Sequence, residues 1–99
     1  MTSWPFSDPQ NVATITVKQI VQEDHPVLLV VHAEEDGGWQ FLTGGPFTTA
    51  DALMVSLRNM VQIDSNLSVL ADLPVGWEAS RVSKEHPWVR SKSSLSHDQ

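Results

Sequence analysis

Residues 26–42, PVLLVVHAEEDGGWQFL, decide the fold. Pro26 opens a run over 27–31 that is apolar at every position, so an extended segment there would be apolar on both faces, which is the pattern of a central strand. Glu34, Glu35 and Asp36, followed by Gly37 and Gly38, supply turn chemistry, and residues 39–42 resume an extended apolar pattern. The expected structure is a β-hairpin, around which the flanking sequence must supply further strands and a covering layer.

Upstream, residues 12–17 read VATITV. Alternation places Ala13, Ile15 and Val17 on one face and Thr14 and Thr16 on the other, a half-buried first strand with its apolar set inward. Downstream, Thr48 stands as a helix cap with Asp51 three residues later, where a capping box places its acid. Ala50, Leu53, Met54, Leu57, Met60 and Val61 then fall in one helical arc, predicting an amphipathic helix over about 49–63. A shorter helical turn over 66–72, with Ser65 as cap, must stop before Pro74. Val75 and Gly76 turn the chain, residues 76–82 (GWEASRV) read as a fourth strand, and Pro87, Trp88 and Val89 form a last extended segment. The expected class is α+β: an antiparallel sheet of about four strands with the main helix and the short one packed on one face, in the order β-β-β-α-α-β. Residues 1–90 are read as a single domain and residues 91–99, SKSSLSHDQ, as a disordered polar tail.

Composition narrows the chemistry. Ninety-nine residues provide for one core, and 40% hydrophobic with 18% charged residues is the composition of a folding chain. The absence of cysteine excludes disulfides, thiol nucleophiles and sulfur-ligated metal centres. No apolar run approaches the roughly 20 residues that span a bilayer, and the opening MTSWPFSDPQ has neither a basic start nor an apolar stretch, so a cytoplasmic protein is expected. Twelve acids against six bases give a net charge of −6, which repels nucleic acid and anionic membranes. Four of those bases, Arg81, Lys84, Arg90 and Lys92, lie in the last twenty residues, so residues 81–90 are expected to fold back on the acidic body in salt-sensitive surface pairs.

Three groups of residues carry candidate functions. His32, Glu34 and Asp36 alternate, so a strand continuing through them would project all three to one side, as a divalent metal requires; a turn beginning at Glu35 breaks that arrangement. Residues 43–46, TGGP, precede the helix start at Thr48, yet they lack the Lys and Ser/Thr of a phosphate loop. Four tryptophans, Trp4, Trp39, Trp77 and Trp88, stand in a chain without tyrosine. They serve either as aromatic core or, for Trp39 and Trp77, as a contact surface. No serine lies in a nucleophile elbow and the four histidines have no triad spacing, so a catalytic role is not expected.

Residues 34–45 (EEDGGWQFLTGG), 70–81 (LADLPVGWEASR) and 87–90 (PWVR) together resemble a group of small uncharacterised bacterial proteins. That resemblance implies a bacterial source and the architecture just described. The acidic hairpin with its Gly-Trp and following glycine is also similar to the immunity protein 33 family, which implies a small acidic protein that neutralises a toxin. The function expected from these features is a non-catalytic module, without cofactor, that binds a basic protein partner through Glu34, Glu35, Asp36, Trp39 and Trp77. Two alternatives stand beside it: a small-ligand or divalent-metal domain using His32, Glu34 and Asp36, and a structural homodimer that covers the second apolar face of residues 27–31.

Overall fold

A computed structural model describes residues 4–93. Strand β1 (Ala13–Val17) runs into the short helix α1 (Lys18–Val21); β2 (Leu29–His32) and β3 (Trp39–Leu42) follow. A 3-10 turn (Thr49–Asp51) leads to β4 (Ala52–Ser56) and α2 (Leu57–Ile63), and a second 3-10 turn (Ser65–Leu70) leads to β5 (Trp77–Ser80) and β6 (Val89–Lys92). All six strands form one sheet in the order β4-β1-β3-β2-β5-β6. Every junction is antiparallel except β1 with β3, which is parallel. The chain is thus a mixture of sheet and short helices as expected, but with six strands, not about four, and a mixed rather than purely antiparallel sheet.

The hairpin forms as its sequence dictates, with Leu29 opposite Leu42 and His32 opposite Trp39. The segment expected to be one helix over 49–63 does not. Residues 52–56 instead pair with β1 along their full length, Ala13 with Ser56 through Val17 with Ala52. Ladder hydrogen bonds and cross-strand packing outweigh a helical arc whose first half had no cover of its own. Thr48 still donates its backbone N–H to Asp51 Oδ2 at 3.1 Å, but across a single 3-10 turn. That bond, with the Gln19 amide and Lys18 nearby, holds the Asp51 carboxyl below its usual range. The true helix begins after Ser56, whose hydroxyl accepts from Asn59 N at 3.1 Å. In the second 3-10 turn Asp64, not Ser65, is the cap, accepting from Asn66 N at 3.0 Å. β6 reaches Lys92, two residues into the stretch read as tail, and Ser93 N donates to Gly76 O at 2.8 Å. Residues 94–99 of that tail lie outside the described residues.

Directly opposed residues point to the same side of a sheet. Thr14, Thr16, Val30, Trp39, Phe41, Trp77 and Ala79 therefore share one face with Leu53 and Val55. Helix α2 and the second 3-10 turn cover it: Leu57, Met60, Leu67, Leu70 and Leu73 join Val30, Trp39, Phe41 and Ala79 in one buried cluster. The inward set of β1 is thus the opposite of the one expected. Thr14 and Thr16 are buried, Ala13 is exposed and Ile15 is half-buried, with only Val17 inside at the strand end. Threonine has the shape of valine, and each hydroxyl finds a carbonyl, Thr14 that of Val55 at 2.9 Å and Thr16 that of Phe41 at 2.8 Å. Thr16→Val keeps the shape and removes the donor, so urea unfolding is expected to show a loss of about 1 kcal/mol; no loss would mean that the hydroxyl contributes nothing to β1 pairing.

The fold-back of the basic end is present, in a form different from the expected surface pairs. Arg90 pairs with Asp72 at 2.8 Å on the surface and holds its carboxyl below the usual range. Arg81, however, is inside: its side chain is 1% exposed and its NH2 donates to Asp64 Oδ2 at 2.7 Å. Arg81 Nε donates to Val27 O at 3.0 Å, and the indole of Trp88 covers the guanidinium 4.2 Å from its ring centroid.

Candidate functional site: an open sheet face beside an acidic hairpin

The turn between β2 and β3 is closed by its backbone, Ala33 N donating to Gly38 O at 2.8 Å and Gly37 N to Ala33 O at 3.0 Å. Gly37 takes φ +72°, a conformation that costs glycine nothing. Asp36 Oδ1 accepts from Gly38 N at 2.9 Å, which leaves Glu34, Glu35 and Asp36 exposed at the tip. Among the described residues none of these three forms an ion pair.

His32 fastens the tip from below. Its Nδ1 lies 2.7 Å from Leu73 O and its Nε2 3.1 Å from Gly37 O, and its ring stacks on Trp39 at 3.8 Å between centroids with a 12° interplanar angle. A neutral imidazole has one N–H and serves one of these carbonyls; both receive a proton only from the doubly protonated ring. Both nitrogens face carbonyls, Glu34 lies against Gly76, and Asp36 is bound to its own turn. His32, Glu34 and Asp36 therefore do not converge, and no group of three such side chains among the described residues is placed to hold a metal.

The tryptophans separate. Trp39 is 2% exposed, edge-on to Phe6 at 5.3 Å and near-parallel to Phe41 at 6.2 Å, and its Nε1 donates to Asp8 Oδ1 at 3.1 Å. The indole is core rather than exposed surface, although the residue also borders the concavity beside Ala13, Ile15 and Met54. Trp77 is half-buried on the same face, packed against the core edge opposite His32 and Lys92. Asp8 also accepts from Trp4 Nε1 through its main-chain oxygen, which ties the N-terminal segment to the core.

Register places Ala13 and Ile15 from β1, Met54 from β4, Gln40 from β3, Leu29 and Val31 from β2 and Glu78 from β5 on the other face; Val31, like Val17 and Leu42 on that face, is buried, so the open part centres on Met54, Ala13 and Ile15. Helix α2 and the second 3-10 turn lie on the opposite side, and Met54 is 71% exposed. Two concavities flank Gln40 here. One, of about 210 Å³, is bounded by Ala13, Ile15, Gly38 and Met54 with Asp36 at its rim. The other, of about 220 Å³, is bounded by Val31, Glu34, Glu35 and Gly76, and the two share Ala33 and Gln40 as a common wall. The acidic tip is thus the rim of an apolar surface, and sequence reasoning found the rim without the surface. Its signal was the unbroken apolar run of residues 52–55, part of which a helical reading of 49–63 absorbs.

No protein-family model, no curated protein and no solved structure gives a significant match to this chain. Among the described residues no helix is long and apolar enough to cross a membrane.

Proposed function

We propose that the protein is a non-catalytic module that binds a basic protein partner, with the exposed acids of the hairpin tip and the adjoining open sheet face as its contact surface. One observation carries the reading: the side of the sheet away from α2 carries exposed Met54 beside half-buried Ile15 and Leu29, near Glu34, Glu35, Asp36 and Glu78, none of these four acids in an ion pair among the described residues. Exposed apolar area rimmed by polar groups marks interaction surfaces, and a rim of one charge selects the opposite charge and speeds encounter. Neutralisation of a basic toxin, as the likeness to immunity proteins implies, is one form this function would take.

The test is native mass spectrometry of the tagged protein recovered from lysate of its source organism. A second protein bound one to one, released at high salt and missing when Glu34→Gln, Glu35→Gln and Asp36→Asn are combined, is the expected result, with association slowed about tenfold or more in the variant. A mass of 11.0 kDa alone, or a partner indifferent to both salt and the three substitutions, would overturn it.

A further inference from the structure

We infer that the open sheet face takes a partner segment presenting an aliphatic side chain and, within about four residues of it, a lysine or arginine; this rests on the proposed binding role and specifies the partner's chemistry. The two concavities differ in character. The one beside Ala13, Ile15 and Met54 has apolar walls and room for a single aliphatic side chain. The one beside Glu34 and Glu35 brings Val31 and these two acids into one lining, and Glu78 stands opposite Val31 in register on the same face. That combination suits a long cationic side chain, which lays its methylenes on apolar surface and carries its charge to the acids. The two adjoin at Ala33 and Gln40, and Ile15 of one and Val31 of the other sit on strands two apart in the sheet, ~10 Å, a distance that extended backbone covers in three or four residues.

Charge decides between this occupant and a second copy of the chain. None of the six lysines and arginines occupies a strand position on this face. Lys18 is in α1 and Arg58 in α2, Arg81 is buried, Lys84 follows β5, and Arg90 and Lys92 are on the covered side of β6. Two copies docked through this face would set Glu34, Glu35, Asp36 and Glu78 against their own kind, which opposes association. A phosphate backbone is repelled by the same acids.

The probe is a random-peptide library displayed on phage, panned on the wild-type chain at low ionic strength. Enriched peptides are expected to pair an aliphatic residue with a lysine or arginine within four positions. A synthetic peptide from that pool is expected to bind about tenfold or more weakly to Met54→Ser and to the Glu34→Gln, Glu35→Gln variant. All of these positions are exposed, and circular dichroism checks that each variant keeps its fold. Basic peptides that ignore Met54→Ser would overturn the inference while leaving an acidic-tip binding module standing, and peptides without a cation would overturn the pairing of the two sites. A pool with no enrichment counts against the inference and the binding role together. A species of twice 11.0 kDa that Met54→Ser abolishes would make a second copy the occupant and overturn the inference.

Discussion

Arg81→Ala is expected to destabilise the protein by about 3 to 5 kcal/mol, because removing one member of a buried pair leaves the other charge inside without compensation. The orphan would be Asp64, 9% exposed, whose Oδ2 has Arg81 NH2 at 2.7 Å as its cationic partner. More than the pair is lost. Val27 O loses the Nε donor, Asn66 Oδ1 keeps only the indole N–H of Trp88, and Trp88 loses the guanidinium it covers. For a domain of this size, whose total stability is on the order of 5 to 15 kcal/mol, the melting temperature should fall by about 20 °C. Arg90→Ala supplies the contrast: Asp72 is 78% exposed in the side chain, so that variant should lose less than about 1 kcal/mol, and less still at high salt. The Arg81 loss should hardly change with salt, since neither member of the pair is reached by solvent ions. Equal losses for Arg81→Ala and Arg90→Ala in urea titrations would mean that the buried pair is no more than a surface pair energetically. Replacing both Arg81 and Asp64 with apolar residues of similar volume should recover much of the loss, which distinguishes an uncompensated charge from a simple cavity.

The same residue marks how far the sequence could be read. The uneven distribution of charge foretold that the basic end returns to the acidic body, and both Arg81 and Arg90 do so. Charge counting could not show that one of them goes inside, because burial of Arg81 depends on Asp64, seventeen positions away, and on Trp88 to close it over. The hairpin was legible because its evidence is local: a two-sided apolar run, a turn of acids and glycines, and a second extended run. β4 was not. Residues 52–55 are apolar at every position, so no period of two marks them as a strand, and Leu53 and Met54 also fall on the helical arc that continues through Leu57, Met60 and Val61. The division falls at Ser56, a residue suited to capping, and the deciding partner is β1, some forty residues earlier. Thr14 and Thr16 misled for a related reason: their burial depends on carbonyls of Val55 and Phe41, which only the folded sheet brings near. Misreading β4 then hid the candidate surface, since the concavity beside the acidic tip is lined by Ile15 and Met54 across the β1–β4 pair.

Trp39→Ala is expected to cost about 3 to 5 kcal/mol of folding stability, the loss typical of a fully buried large side chain. Trp39 is 2% exposed, and its removal opens a void between Phe6, Phe41 and the His32 ring while leaving Asp8 Oδ1 without its indole donor. Trp39→Phe restores part of the packing without the N–H, so its loss should be smaller, about 1 to 2 kcal/mol. Chemical denaturation gives both values, and a Trp39→Ala chain as stable as wild type would place this indole outside the core. The two kinds of substitution should separate cleanly. Trp39 acts on the fold that carries the tip, through the His32 stack and the His32 contact with Gly37 O, whereas Glu34, Glu35 and Met54 are exposed and act on whatever the surface receives. Where Trp39→Phe remains folded, its affinity for a selected basic peptide should stay within about twofold of wild type, because the aromatic plane beneath His32 is retained and the rim carboxylates are untouched. A large loss of binding in a fully folded Trp39→Phe chain would make the indole itself part of the recognition surface and transfer the tryptophan from the core's account to the partner's.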